Sequence, residues 1–169
     1  TIWYWKKVRN MSAVKSVEAN TLEAQMAELG ANARAAAHVL AVTPAVQKRR
    51  AIKAAADALE AARETIVAAN EKDMAQARAA NLNAAMLDRL ALDTARIDGM
   101  IQGLREVAAL DDPVGRILDE RTRPNGLRIQ RVSVPVGVIG IIYESRPNVT
   151  ADAGALCVMS GNAAILRCG

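Results

Sequence analysis

Residue types that define several protein classes are scarce in this sequence. Phenylalanine is absent, aromatic residues make up 2% of the 169 residues, and there are two cysteines and one histidine. The cysteines, Cys157 and Cys168, lie in an apolar stretch without a CxxC pattern or a nearby histidine, so neither a disulfide scaffold nor a zinc site is indicated. We expect both to be buried, inert thiols, which fits a reducing, cytoplasmic location.

Long apolar runs are also missing. The longest, Val134 to Tyr143, is about ten residues long and is interrupted by Pro135, Gly137 and Gly140, far short of a membrane span. The sequence therefore predicts no association with a membrane.

The excess of basic residues is concentrated at the N-terminus. The net charge is +4 and the pI about 9.4. However, Lys6, Lys7 and Arg9 fall in the first ten residues, which hold no acid, and the other 19 basic residues nearly balance 18 acidic ones. The Arg-rich runs at 48–50 and 121–131 lack an aromatic stacking platform. We therefore expect no nucleic-acid partner.

The first ten residues differ from the rest in composition. They hold three of the four aromatic residues and lack the apolar core and cleavage site of a signal peptide. We interpret residues 1–19 as a disordered extension, with an interfacial anchor as the alternative.

Residues 20–112 have the pattern of a block of helices, with abundant alanine. Asn20 and Glu23 have capping-box spacing before a first helix. Its apolar residues recur every three or four positions and predict one buried face: Leu22, Met26, Leu29, Ala33, Ala36 and Leu40. Thr43, as cap, and Pro44 open a second helix. Its predicted stripe contains Ile52, Ala55, Leu59, Ala62 and Ile66.

Three further helical segments complete the block. Asn70 with Asp73 predicts a cap before a helix at 74–80, and Asn81 and Asn83 separate it from a short segment at 84–90. Asp93 or Thr94 caps a last helix, which residues 111–113 terminate. The buried side of that helix is predicted to hold Ile97, Ile101, Leu104 and Ala108.

Residues 113–135 have the pattern of a β-hairpin. Asn125 and Gly126 form a strong turn signal between the arms 116–123 and 127–134. In the second arm the alternation changes phase before Val132, which predicts a bulge or a bend where the hairpin enters the next element.

Residues 136–169 have the pattern of a βαβ unit. Residues 136–143 form a β-branched run typical of a strand buried on both faces, and 163–166 form a second short strand. Between them, Thr150 is the expected cap of a helix that ends at Gly161. The fold class is therefore α/β: a helical block, a hairpin arm and the first unit of a doubly wound, Rossmann-like parallel sheet. Because one parallel pair cannot form a stable sheet core, we expect Gly169 to be a truncation point.

Two segments carry a specific resemblance to a known family. They are LDRLALDTARIDGM at 87–100 and VPVGVIGIIYESRPNVTADAGALCVMSGNAAILRCG at 134–169. Together they resemble the gamma-glutamyl phosphate reductase family, a divergent branch of the aldehyde dehydrogenase superfamily. The most specific portions are GVIGIIYESRPNVT and SGNAAILR, since the wider superfamily carries a Pro-Trp-Asn pattern in the corresponding loop. The resemblance covers the chain from about Leu22 to Gly169.

The resemblance implies an activity and a cofactor. The family reduces L-glutamyl 5-phosphate with NADPH to L-glutamate 5-semialdehyde and phosphate, in proline biosynthesis. A cysteine thiolate attacks the acyl phosphate, phosphate leaves, and hydride reduces the resulting thioester. Neither Cys157 nor Cys168 matches that nucleophile, which is expected in a later domain. This part of the enzyme is therefore expected to be inactive alone.

Two residues of the loop after the first parallel strand are candidate substrate ligands. Arg146 occupies the position at which the superfamily has an oxyanion-stabilising Asn, and a cation there suits a phosphorylated substrate. A loop before a helix N-terminus also favours anions, and Arg adds a bidentate donor. Asn148 can add a neutral donor. The alternative is structural: Arg146 paired with Glu144 or Asp152, and Asn148 as a turn residue.

Three residues at the strand ends are candidate NADP(H) ligands: Tyr143, Glu144 and Arg167. Arg167 aligns with a superfamily lysine that contacts the adenosine ribose, and a guanidinium suits a 2′-phosphate. A solvated strand-end arginine is the alternative. No GxGxxG is present, and Gly137 and Gly140 are interpreted as packing positions. His38, inside the first helix, is expected to be structural.

The resemblance also implies partners besides the small-molecule substrate. The hairpin resembles the superfamily's arm, which pairs with another subunit, so a homo-oligomer is expected, and association with glutamate 5-kinase is a further expectation. Two alternatives remain: another aldehyde or acyl-CoA reductase of the superfamily, and a non-catalytic helical interaction module.

Overall fold

The computed structural model describes residues 19–144 and 146–168, and of residues 19 and 20 only the backbone. Three predictions fall outside this part of the chain. They are the extension except for the backbone of Ala19, the capping side chain of Asn20, and the expected truncation point at Gly169.

The described chain contains helices followed by a hairpin and a βαβ unit. In chain order the elements are α1 (Ala19–Val42), α2 (Ala45–Ala61), α3 (Arg63–Ala79), α4 (Ala84–Leu90), α5 (Thr94–Ala109), β1 (Ile117–Thr122), β2 (Arg128–Val132), β3 (Val138–Tyr143), α6 (Asn148–Met159) and β4 (Ala163–Cys168). β1 and β2 pair antiparallel, and β3 and β4 pair parallel. The α/β class predicted from the sequence is confirmed. Within these ranges, no helix has both the length and the apolar character of a membrane span.

The apolar core is formed by α2, α5 and α6. Its buried side chains come from all three helices: Ile52, Ala56, Ile97, Ile101, Leu104, Ala108, Ala155 and Met159. The four positions predicted for the last helix of the block are all buried here. Because they recur every three or four residues, α5 buries one continuous stripe between its two neighbours. Asp93 caps α5, its carboxylate accepting the Arg96 N–H at 2.7 Å.

The second helix differs from its prediction in three ways. It ends at Ala61, and Ala56 rather than Ala55 is buried. Pro44 is its N-cap residue, while the hydroxyl of Thr43 donates to the Val39 carbonyl at 2.7 Å. Thr43 therefore terminates α1 and does not cap α2.

The predicted cap at Asn70 is wrong. Asn70 lies inside α3 and is buried, with its amide donating to the Leu90 carbonyl and its Oδ1 accepting the Leu92 N–H, both at 2.8 Å. The side chain satisfies backbone groups where α4 meets α5. Asn83, in contrast, does cap α4 through the Met86 N–H.

The predicted buried face of α1 is largely exposed. Leu22, Met26 and Leu29 are 55%, 53% and 42% exposed, and in the second half of the helix Ala37 is buried in place of Ala36. The periodicity was a correct sign of a helix, but within the described residues only its C-terminal half contacts other elements closely enough to be covered.

The hairpin has the predicted turn but its irregularity lies in the first arm. Ile117 pairs with Val132 and Asp119 with Arg131, so Leu118 is the extra residue of a bulge in β1. The bulge thus lies in the first arm, whereas the sequence predicts a bulge or a bend where the hairpin enters the next element. Gly126, at the turn, has φ +83°, the conformation that the Asn-Gly signal indicates.

The parallel pair is covered on one face of β3 only. Ile139, Ile141 and Tyr143 are half-buried, whereas Val138 and Ile142 are 38% and 77% exposed. The prediction that this strand is buried on both faces is wrong for the described chain, because no described element covers its second face.

Asn162 fixes the start of the parallel pair. Its buried side chain accepts the Gly137 N–H at 2.8 Å and donates to the Ser160 carbonyl at 3.1 Å, and the Gly137 carbonyl accepts the Ala163 N–H at 2.9 Å. Next to it, Gly161 ends α6 with φ +74°, as the sequence predicts. One side chain thus joins the end of the crossover helix to the first residues of both strands.

Replacing Asn162 by alanine is expected to destabilise this junction. The Gly137 N–H would lose its acceptor inside the protein, which costs about 1–3 kcal/mol. Hydrogen–deuterium exchange in the full-length protein should therefore be faster at the Gly137 and Ala163 amides. Gln102→Ala, at an exposed amide of α5, is the control. Unchanged exchange at Gly137 in the Asn162 variant would contradict this role.

A buried ion pair connects α2 to the segment before the hairpin. Lys48 is 1% exposed, and its Nζ lies 2.6 Å from Oδ2 of Asp112. Asp112 also accepts the Val114 N–H at 2.9 Å. Although burial raises the pKa of Asp112, the hydrogen bonds from Lys48 and Val114 outweigh it, and the pKa is lowered from its ordinary value. The pair holds the base of the hairpin against the helical core.

Candidate functional site

The loop between β3 and α6 lies where ligands bind in folds of this class. β3 ends at Tyr143 and α6 begins at Asn148, so the loop follows the carboxyl end of a parallel strand and precedes a helix N-terminus. Pro147 is the N-cap residue, and the Arg146 carbonyl accepts the Val149 N–H at 3.1 Å. Arg146 is exposed at the end of the loop, directly before the N-cap of α6.

Tyr143 and Thr150 connect the two ends of the loop. Their hydroxyl oxygens are 2.5 Å apart. Because α6 begins at Asn148, Thr150 lies within the helix and does not cap it, contrary to the sequence prediction. The contact joins the last residue of β3 to the first turn of the helix, which fixes the span that the loop must bridge.

A cleft of about 470 Å³ opens beside this loop. One wall comes from α4, α5 and their connection, and the other from the loop and α6. The lining residues are Asp88, Arg89, Ala91, Leu92, Arg96, Gly99, Met100, Arg146, Pro147, Asn148 and Asp152. Both predicted substrate ligands, Arg146 and Asn148, thus lie on one cleft of a size usual for small-molecule sites.

The arginines of the cleft differ in their partners. Arg96 pairs with Asp88, Nη2 to Oδ1 at 2.7 Å, and donates to the Ala91 carbonyl at 2.9 Å. The guanidinium groups of Arg89 and Arg146 have no hydrogen bond or ion pair to any described residue. The cleft therefore offers two guanidinium groups whose donors are not used by the described protein, a suitable arrangement for an anionic ligand.

The structural alternative for Arg146 has no support in the described residues. No ion pair joins it to Glu144 or to Asp152 within 4.0 Å. Asp152 instead accepts from the amide of Asn148, Nδ2 to Oδ2 at 3.2 Å. The carboxylate thus orients Asn148 and leaves Arg146 free.

Sequence reasoning missed the α4–α5 wall of the site. Asp88, Arg89 and Arg96 all belong to the LDRLALDTARIDGM segment, which carried the family resemblance but suggested no role. That segment and the loop are distant in the sequence, and only the packing of α5 against α6 brings them together. The signal was an arginine-rich connection between two short helices.

The predicted cofactor ligands gather at one edge of the parallel pair. Ile142 is the register partner of Arg167, and Tyr143 is that of Cys168. Glu144 follows directly, and both Glu144 and Arg167 are exposed. The structure therefore places Tyr143, Glu144 and Arg167 together at the carboxyl ends of β3 and β4.

The two cysteines have different environments. Cys157 is buried in α6, and burial raises the pKa of its thiol, which keeps it protonated and unreactive. Cys168 is exposed at the end of β4, so the prediction of a buried thiol there is wrong, since no described element covers this strand end. His38 is an exposed residue of α1 beside a shallow groove that Met26 and Arg34 also border.

The sequence is similar to curated proteins of one name. It is 58% identical over 148 residues to a gamma-glutamyl phosphate reductase of Paramagnetospirillum magneticum, covering 88% of this chain and 35% of the relative. It is 61% identical over 146 residues to one of Rhizorhabdus wittichii, covering 86% of this chain and 34% of the relative. The chain thus spans about a third of the length of these relatives. No protein-family model matches it.

Two solved structures have the same fold. The gamma-glutamyl phosphate reductase of Thermotoga maritima matches with a TM-score of 0.79 and 46% identity, over 81% of this chain and 33% of that one. The enzyme of Saccharomyces cerevisiae matches with a TM-score of 0.82 and 38% identity, over 84% and 36%. The resemblance predicted from the sequence is confirmed. Over most of its length, the chain is homologous to the N-terminal third of the gamma-glutamyl phosphate reductases.

Proposed function

We propose that the chain is part of an NADP-dependent reductase that converts L-glutamyl 5-phosphate to L-glutamate 5-semialdehyde and phosphate, in proline biosynthesis. The observation that carries the proposal is its identity of 58% and 61% to two relatives named for this substrate. The activity belongs to the whole enzyme, and this third alone is inactive, with the cysteine nucleophile contributed by the remaining length. We place the enzyme in the cytoplasm.

Arg146 and Asn148 are the proposed substrate ligands. The guanidinium of Arg146 has no partner among the described residues and lies on the cleft, and Arg146 directly precedes the N-cap of α6, near helix amides that attract anions. It binds the phosphate of the substrate with two donors and stabilises the charge on that group as it leaves. Asn148, oriented by Asp152, donates its other amide hydrogen to the acyl oxygen.

The strand-end residues fit the adenosine side of NADP(H). When bound, the cofactor supplies the hydride that reduces the acyl group. Arg167 is exposed at the carboxyl end of β4 and has no partner among the described residues, so its guanidinium is available to a 2′-phosphate. The hydroxyl of Tyr143 is hydrogen-bonded to that of Thr150, which orients the Tyr143 ring at the strand end. Tyr143 and the adjacent Glu144 are the other two proposed cofactor ligands.

The activity is tested in the thermodynamically convenient reverse direction. The full-length enzyme is mixed with L-glutamate 5-semialdehyde, inorganic phosphate and NADP⁺, and NADPH is followed by its absorbance. We expect NADPH formation that requires phosphate. Activity that needs coenzyme A in place of phosphate would identify the related acyl-CoA reductase, and no turnover with either would support a non-catalytic module.

Replacing Arg167 by alanine is expected to raise KM for NADP⁺ by about tenfold, because one charged hydrogen-bonded contact to the 2′-phosphate is lost. KM for NAD⁺, which has no such phosphate, should change less than twofold. Initial rates with both cofactors measure this, and Arg131→Ala on the hairpin is the control. Equal effects on the two cofactors would leave Arg167 as a solvated strand-end residue.

The hairpin is the proposed oligomerisation arm. Five of its apolar residues are 42–56% exposed in the described chain: Ile117, Leu118, Leu127, Ile129 and Val132. Exposed apolar side chains on a two-stranded ribbon favour burial against another copy. We propose a homo-oligomer formed through this arm, and association with glutamate 5-kinase as a further partner.

A further inference from the structure

The cleft contains a second guanidinium that the proposed function does not use. Arg89 lies in the last turn of α4, on the wall opposite the β3–α6 loop. It is exposed and has no hydrogen bond or ion pair to any described residue. Arg96, one helix later, has its donors engaged by Asp88 and Ala91. Among the described residues of this wall, Arg89 is therefore the cation whose guanidinium has no partner.

The position of Arg89 depends on its neighbours. Arg96 joins the end of α4 to the start of α5, and Asn70 holds the connection between them through the Leu90 carbonyl and the Leu92 N–H. The backbone on both sides of Arg89 is thus fixed by buried or charged hydrogen bonds. A fixed backbone at an exposed arginine reduces the entropy lost when the side chain binds a ligand.

The two unpaired guanidinium groups of the cleft suit a ligand with two anionic groups. Asp88 is paired with Arg96, and Asp152 accepts from the amide of Asn148. This leaves the guanidinium of Arg89 on one wall and that of Arg146 on the other without a partner among the described residues. The proposed substrate has a phosphate at the reacting end and a carboxylate at the other. Arg146 follows the carboxyl end of β3, where the chemistry of this fold class takes place. The phosphate end of the substrate is therefore expected to bind at Arg146, and the carboxylate at its other end is expected to bind at the opposite wall.

We propose that Arg89 is the specificity-determining residue that binds the α-carboxylate of the substrate. This inference rests on the proposed function. Arg89 selects acyl phosphates and aldehydes that carry a carboxylate at the far end of a short chain. It touches no reacting atom, so its contribution is to substrate affinity and not to the chemical step.

The test compares Arg89→Ala with Arg146→Ala in the full-length enzyme, in the reverse reaction. We expect Arg89→Ala to raise KM for L-glutamate 5-semialdehyde by about ten- to hundredfold, with KM for inorganic phosphate and kcat changed less than threefold. Arg89→Lys should recover part of the affinity. Arg78→Ala, at an exposed arginine of the last turn of α3 outside the cleft, is the matched control.

A substrate without the carboxylate separates specificity from structure. 4-Aminobutanal is the same aldehyde lacking only that group. The kcat/KM of the wild type for it should therefore be low, and the kcat/KM of Arg89→Ala for it should equal that of the wild type. If Arg89→Ala lowers kcat/KM equally for both aldehydes, or raises KM for phosphate, the inference is overturned while the proposed function stands. If the wild type itself does not oxidise the semialdehyde, the proposed function fails and the inference fails with it.

Discussion

Replacing Arg146 by alanine in the full-length enzyme is expected to lower kcat/KM for the phosphate-dependent oxidation of L-glutamate 5-semialdehyde by about 10²–10³-fold. Arg146 lies on the cleft, directly before the N-cap of α6, and its guanidinium has no partner among the described residues. Its loss removes a bidentate, charge-assisted contact to the phosphate that enters or leaves. The principal change should be in KM for phosphate, measured from initial rates at varied phosphate.

Two variants distinguish a ligand from a loop support. Arg146→Lys keeps the charge but not the planar fork, so it should recover only part of the activity. Arg78→Ala removes the same charge outside the cleft and should leave phosphate KM unchanged. If Arg146→Ala lowered the melting temperature and left phosphate KM as in the wild type, Arg146 would be a structural residue of the loop.

Replacing Asp112 by asparagine should cause the largest loss of stability. Lys48 is 1% exposed, so its charge would remain in the interior without a counter-ion. Removing one partner of a buried ion pair costs about 3–5 kcal/mol. Urea unfolding of the full-length protein, followed by hydrogen exchange at the base of the hairpin, measures the loss where it occurs.

The neighbouring residue provides the matched control. Asp111 is 88% exposed, and its Oδ2 is 3.8 Å from Nη2 of Arg116. Asp111→Asn should therefore change stability by less than about 0.5 kcal/mol. The double variant Lys48→Met, Asp112→Asn should be more stable than Asp112→Asn alone, because the buried charge is removed. A double variant less stable than the single one would show that charge burial is not the cause.

The Asp112 pair also predicts a pH dependence. The pKa of Asp112 is lowered in the folded protein, so its contribution to stability is present above the ordinary value of 3.8 and is lost as pH falls through the lower folded value. The difference in urea midpoint between wild type and Asp112→Asn should be constant near pH 6 and shrink below about pH 4. A difference that stays constant down to pH 2.5 would exclude the ionised pair as its source.

The sequence correctly predicted the buried face of a helix where described neighbouring elements cover that face. α5 was predicted correctly at Ile97, Ile101, Leu104 and Ala108, because α2 and α6 cover that stripe. The same periodicity failed for α1, where Leu22 is 55% exposed. A period of three or four residues indicates which face is apolar but not what covers it.

Residue type and local spacing predicted the role of a side chain less well where its hydrogen-bond partner lies in another element. Asn70 has the residue type and spacing of a cap, yet its amide satisfies backbone groups of the α4–α5 connection. Thr150 likewise contacts Tyr143. For the site, the loop residue Arg146 was predicted from its place after β3, whereas Arg89 required the tertiary packing of two segments remote in the sequence.

The contrast between a closed helical core and an open strand pair implies an order of folding during synthesis. The core of α2, α5 and α6 is complete within the first 159 residues, and Ile97 and Ala56 are fully excluded from water in it. These helices can therefore condense while later residues are still in the ribosome. The second face of β3, with Ile142 77% exposed, is not covered by any described element. A chain that has reached Cys168 therefore carries a folded helical core next to an apolar strand face. We expect chaperones that recognise extended apolar segments to bind the nascent chain at this face.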